Sequence, residues 1–172
     1  VFDPESQKYA VASYPDGILR LYAGGVDEKE DTQEGILREI REESGLYDFE
    51  YIENMRTTLS HFFNSRKKVN RVALATCLLV VLKNIKTQRT HLEEHEVGFE
   101  LVWKTPEEIL ANWNEHNKHG GFDHWITYLH QSVGRAIELG YDKTSDPEVF
   151  KTSAYVGSGI LINSGDWNGL QM

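Results

Sequence analysis

Residues 72–82, VALATCLLVVL, are the longest apolar run in the chain and restrict its fold more than any other feature. The run falls well short of the ~18 residues needed to span a bilayer, so it implies no membrane segment. Its length and β-branched content suit a strand, and a strand that is apolar on both faces belongs inside a sheet covered from two sides. KYAVASY and GILRLYAGG, split by Pro15-Asp16-Gly17, read as a hairpin. FEYIENMRTTLSHFF reads as one or two further strands, and VGFELVW as another. Helical patterns follow in TPEEILANWNEH, with Thr105 as cap and Pro106 at the first position, and in FDHWITYLHQSVGRAIELG, which ends at Gly140. Strands dominate the first half and helices the third quarter, which predicts an α/β fold with helices on the faces of a mixed sheet.

Other bulk properties narrow the setting. The chain has 172 residues, enough for one domain with an appendage. A net charge of −9 disfavours a broad nucleic-acid surface. Cys77 is the single cysteine, so no internal disulfide can form, and it reads as an inert thiol in a reducing, cytoplasmic setting. The opening VFDPESQKYAVASY looks like the end of one strand and the start of the next, and with Val1 in place of Met it predicts a piece of a longer or processed chain.

Between the hairpin and the later strands lies AGGVDEKEDTQEGILREIREESGL, residues 23–46. Asp31 or Thr32 can cap a helix that runs to about Ser44 and stops at Gly45, and Asp31 and Glu34 have capping-box spacing. Ile36, Leu37 and Ile40 share the stripe that should meet a sheet. Glu39, Glu42 and Glu43 share an adjoining stripe, where like charges repel by a few tenths of a kcal/mol per pair. Two readings are open from spacing alone: a solvated acidic face, or a flank that holds a hard divalent cation by oxygen ligands. Arg38, one turn before Glu42, can orient that carboxylate.

The surrounding pattern bears on the choice. Gly24, five residues, Glu30, seven residues, then Arg38-Glu39-Ile40-Arg41-Glu42-Glu43-Ser44-Gly45-Leu46 resembles the Nudix box, G-x5-E-x7-R-E-U-x-E-E-x-G-U, at every defined position. The resemblance implies a Nudix-type α/β/α sandwich with a mixed β-sheet over residues 1–140, whose first strand lies before or at Val1. It also implies hydrolysis of a diphosphate joined to another moiety, on a small nucleotide-diphosphate substrate, with Mg²⁺ or Mn²⁺ as cofactor. Glu39, Glu42 and Glu43 are then the metal ligands, with Glu42 or Glu43 as candidate base. Gly24 contributes its carbonyl, Arg38 fixes the carboxylates from behind, and Glu30 braces the loop. A further acid is expected among Glu93, Glu94 and Glu96, with Glu96 favoured as a catalytic residue.

Other candidates carry two readings each. Arg20, Arg56 and Arg71 could meet phosphates or form surface salt bridges. Trp103, Trp113, Phe122 and Trp125 could stack on a base or fill the core. His116, His119 and His124 approach metal-ligand spacing, but without cysteine partners they make a poor zinc site. The turn-rich tail, residues 141–172, contains AYVGSGILINSGDWNGL, which resembles a stretch in the editing insertion of leucyl-tRNA synthetases. That likeness implies a larger parent through which tRNA would be met, and it keeps open a non-catalytic module in place of a hydrolase. Substrate identity and oligomeric state are not legible.

Overall fold

The computed structural model describes residues 1–64, 68–88, 100–117 and 122–151, without the side chains of 60–64. Glu93, Glu94, Glu96, His119 and the synthetase-like stretch at 154–170 lie outside these residues. The elements are β1 Phe2–Asp3, β2 Lys8–Ser13, β3 Leu19–Arg20, α1 Thr32–Ser44, β4 Phe49–Asn64, β5 Val69–Leu82, β6 Glu100–Lys104, α2 Pro106–His116 and α3 Asp123–Glu138.

All six strands join one mixed sheet in the order β3-β2-β1-β5-β4, with β6 on the other edge of β2. β2 runs antiparallel to β1, β3 and β6, β4 antiparallel to β5, and β1 parallel to β5 through Phe2 and Val81. Because strand side chains alternate, the two faces bury different sets. Tyr9, Val11, Leu79 and Val81 meet Ile109 and Trp113 of α2 and Leu129 and Val133 of α3. Ala10, Ala12, Val80 and Leu82 meet Leu37 and Ile40 of α1. The fold is therefore an α/β/α sandwich, and no helix of the described residues is long and apolar enough to cross a membrane.

Local chemistry sets the helix ends. The Asp31 carboxylate accepts from the Gln33 and Glu34 amides at the start of α1, and Gly45 at φ 77° ends it. Thr105 and Glu108 form a reciprocal capping box on α2. The large aromatics fill the core. Trp113 is fully buried, donates its indole N–H to the Leu19 carbonyl at 2.7 Å and stacks with Phe122; Trp125 tilts against both rings.

One feature differs from the sequence reading, and a second adds to it. β5 is buried only over its last four residues, while Val72 and Leu74 are 56% and 75% exposed. Among the described residues, β1 flanks β5 at a single register position, and no other strand continues along that edge of the long β4–β5 ladder. Beyond residue 140, the described chain stays packed on the sheet. Tyr9 donates to the Asp142 carboxylate at 2.9 Å, Gln7 exchanges hydrogen bonds with Tyr141 and Lys143, and Phe150 is 1% exposed within the α2–α3 core.

Removing a fully buried Phe ring typically costs about 3–5 kcal/mol. Phe150→Ala is expected to destabilise the chain on that scale in urea unfolding. A loss below about 1 kcal/mol would mean that residues 141–151 do not dock.

Candidate active site

The sequence from Ala23 to Leu46 folds as a loop followed by α1, with Arg38 at the junction of the two. Its guanidinium donates from Nε to Glu30 Oε1 at 3.0 Å and from Nη1 to Glu39 Oε1 at 2.8 Å and Glu42 Oε2 at 2.9 Å. Nη2 reaches the Gly25 carbonyl at 3.0 Å and Glu30 Oε2 at 3.2 Å. One planar cation thus ties three carboxylates to the loop, a task suited to Arg because its donors are fixed in a fork. Its proton is held more tightly than usual, chiefly by the Glu30 carboxylate and then by Glu39.

Glu30 belongs to the loop. It accepts from Arg38 and from the Asp27 amide at 2.9 Å, and these bonds, Arg38 first, hold its carboxyl below the ordinary value of 4.5. This is the bracing role expected of it. Glu43, one turn further along α1 than Glu39, accepts through Oε2 from the Ala23 amide at 3.1 Å.

Gly24 matters for space. A Cβ there would lie 1.9 Å from the Glu39 carboxyl carbon, so only glycine lets that carboxylate rest against the loop. Gly35 does the same inside α1, where a Cβ would lie 2.8 Å from Glu30 Oε2 and 3.2 Å from Val26. Sequence reasoning passed over Gly35. The available signal was a glycine in a helix interior, which loses up to about 1 kcal/mol against Ala unless something must come close. It also missed the Ala23 amide and the Gly25 carbonyl, since backbone groups leave no mark in residue type.

Glu39, Glu42 and Glu43 therefore lie along one flank, each partly exposed. Arg38 draws the first two and Ala23 the third, so among the described residues no three acidic, histidine or cysteine side chains are gathered into a group ready to hold a metal. The donor chemistry still fits a hard divalent cation, since the flank and the adjoining loop offer only oxygens.

The remaining candidates sit elsewhere. Arg20 pairs with Asp16 at 2.6 Å and covers the Tyr14 ring at 4.0 Å, the salt-bridge reading. Arg56 lies on β4 and Arg71, exposed, on β5. His116 meets the Asn112 carbonyl through Nδ1 at 2.8 Å, and His124 packs edge-on against Trp125 and Tyr128. The Cys77 thiol is pushed up to about 11, mainly by burial, which makes it inert.

Comparison with known proteins fits this geometry. The NUDIX domain model matches residues 6–126, well over half the chain, and the chain belongs to that family. No curated protein matches. Among solved structures, the chain is similar to a C. elegans Ap4A hydrolase in a binary complex, with 17% identity, a TM-score of 0.47, and coverage of 81% of this chain and 94% of that one.

Because Glu30 titrates below 4.5 when folded, its pairing stabilises the fold above that value, and the contribution disappears as pH falls through the lowered one. Arg38→Ala is expected to lower the thermal midpoint at neutral pH, less so in high salt, and to flatten the acid-side decline between pH 5 and 3. A decline as steep as that of the parent chain would show that Arg38 does not hold Glu30.

Proposed function

We propose that this Nudix domain is a Mg²⁺- or Mn²⁺-dependent pyrophosphohydrolase acting on a nucleoside diphosphate joined to a second moiety. The observation that carries the reading is the single flank of Glu39, Glu42 and Glu43, tied by Arg38 and Ala23 to a loop that Gly24 keeps within reach. A divalent cation held by these three carboxylates would neutralise the diphosphate oxygens and lower the pKa of water beside them.

The protein's own groups do the positioning. Arg38 fixes Glu39 and Glu42 relative to the loop, so the flank does not reorganise when charge develops. The Ala23 amide steadies Glu43 by hydrogen bonding to its charged form. Glu42 and Glu43 are the candidate bases for taking the proton from the attacking water, and Glu96 is a further candidate by its position in the sequence. Gly24 is proposed as a carbonyl donor to the cation.

A second reading is a non-catalytic module supporting tRNA aminoacylation or proofreading in a leucyl-tRNA synthetase. One observation favours it: the synthetase-like stretch at 154–170. In either case we place the chain in the cytoplasm, with residues 1–140 as the Nudix-like unit.

Release of phosphate or nucleotide from a panel of diphosphates, with and without Mg²⁺, tests the hydrolase. Turnover is expected to require the cation, and Glu43→Gln is expected to reduce it by about 100-fold or more. Activity that survives both metal removal and the substitution rejects the mechanism. Gly24→Ala separates site from fold. The far end of Glu39 can swing away from the new methyl, so the thermal midpoint should hardly move, while Mn²⁺ affinity should fall by about 10–100-fold. Unchanged affinity would remove Gly24 and Glu39 from the site.

A further inference from the structure

The sheet ends at β4, a strand of 16 residues that pairs only with β5 among the described residues. Its outer edge therefore presents a row of backbone N–H and C=O groups. Proteins usually blunt such an edge with bulges, proline, charge or short length, because an unblunted edge is a template for another strand. β4 is treated unevenly. Its first half carries Glu50 and Glu53 and two breaks in register, between Phe49 and Tyr51 and between Asn54 and Arg56. From there the pairing runs unbroken from Arg56–Cys77 to Asn64–Val69, about 30 Å of strand at ~3.4 Å a residue. That stretch, RTTLSHFFN, holds no proline and no acid, and Arg56 is its one Lys or Arg. α3 meets β4 by side chains over one face, Tyr128 bonding to Thr58 and Arg135 to Glu53, and not at the outer edge.

We propose that the Arg56–Asn64 edge of β4 pairs with the same edge of a second copy, joining the two sheets into one about a two-fold axis. Symmetry fixes the direction, since an edge that meets itself across such an axis runs antiparallel. Use of the whole unbroken stretch fixes the register, with Ser60 opposite Ser60 of the copy and Arg56 opposite Asn64.

Charge selects a second copy as the occupant. The chain carries a net −9, so two copies repel over most of their surfaces. Residues 54–92 are the exception, with no Asp or Glu, and Lys68 and Arg71 stand exposed at the far end of the β4–β5 ladder. Glu50 and Glu53 lie towards its other end. Antiparallel pairing sets the basic end of each copy beside the acidic end of the other, and opposite charges across strands stabilise a sheet. It also keeps the two Arg56 residues about 27 Å apart along the strands. Apolar side chains line up in the same register. Leu59 pairs with Leu74 and His61 with Val72, and Leu59 would lie opposite His61 of the copy. Leu74 and Val72, 75% and 56% exposed, then belong to one row that crosses four strands.

The pairing uses no residue of the proposed catalytic flank, and its test reads association and backbone protection, not turnover. Sedimentation and hydrogen exchange of the full 172-residue chain are compared between about 1 and 100 µM. A dimer is expected at the upper end, with the outward amides between Arg56 and Asn64 exchanging at least about tenfold more slowly than in the dilute chain. Thr57→Lys places a charge within the edge at an exposed site and is expected to weaken association by about tenfold or more, with the thermal midpoint of the dilute chain unchanged. Lys68→Glu, outside the paired stretch, is expected to weaken association less, and only at low salt. A chain that stays monomeric, or a dimer whose Arg56–Asn64 amides exchange as in the monomer, overturns the proposal. Protection of this edge that does not depend on concentration also overturns it, and assigns the edge to another segment of the same chain. If Thr57→Lys lowers the thermal midpoint as well, exchange of the parent chain decides.

Discussion

The site depends on one guanidinium. Arg38 holds carboxylates that stand eight residues before it, one residue after it and four residues after it, and it adds the Gly25 carbonyl. Without a cation at that point, Glu30, Glu39 and Glu42 would repel one another across a loop with few other anchors. Hydrogen bonds to charged partners are the strong ones, and a planar fork can satisfy several at once where an ammonium cannot. Loop and helix are therefore one electrostatic unit. Gly24 and Gly35 leave the room for carboxylates to approach the backbone this closely.

That unit rests on packing that is independent of it. Leu37 and Ile40 press α1 onto Ala10, Val80 and Leu82, while α2 and α3 cover the reverse face. A sheet clamped from both sides resists sliding because close-packed interiors transmit small shifts. The Nudix flank consequently has a rigid support on its β2 and Leu79–Leu82 side. Towards Ala73–Leu78, no strand of the described residues pairs with β5 on its β1 side.

Local signals made much of this legible from residue type. Asp31, Gly45, Thr105 and Pro106 fixed helix ends through bonds that span only a few residues, and the structure places those ends where the capping chemistry predicts. The spacing of Gly24, Glu30, Arg38, Glu39, Glu42 and Glu43 carried the family, which the domain match supports. Of the two readings open for Trp113 and Phe122, the structure shows the core one. What failed to show were non-local facts. VALATCLLVVL reads as a uniformly buried strand, but burial depends on a neighbour, and β1 is too short to supply one beyond Val81. The direction each glutamate takes was also hidden, because periodicity gives a face of the helix and not the partner that a flexible side chain chooses. Docking of Tyr141 and Phe150 was likewise hidden, because it rests on contacts with residues far apart in the chain.

The central claim is that the Glu39–Glu42–Glu43 flank, organised by Arg38, is where a divalent cation meets a diphosphate. Crystals of the full chain soaked with Mn²⁺ and a non-hydrolysable nucleoside diphosphate analogue test it directly. The account expects an anomalous peak within about 2.0–2.3 Å of carboxylate oxygens from this flank, with the diphosphate completing the shell. A peak elsewhere, or a flank that stays empty at saturating Mn²⁺ and analogue, would contradict it.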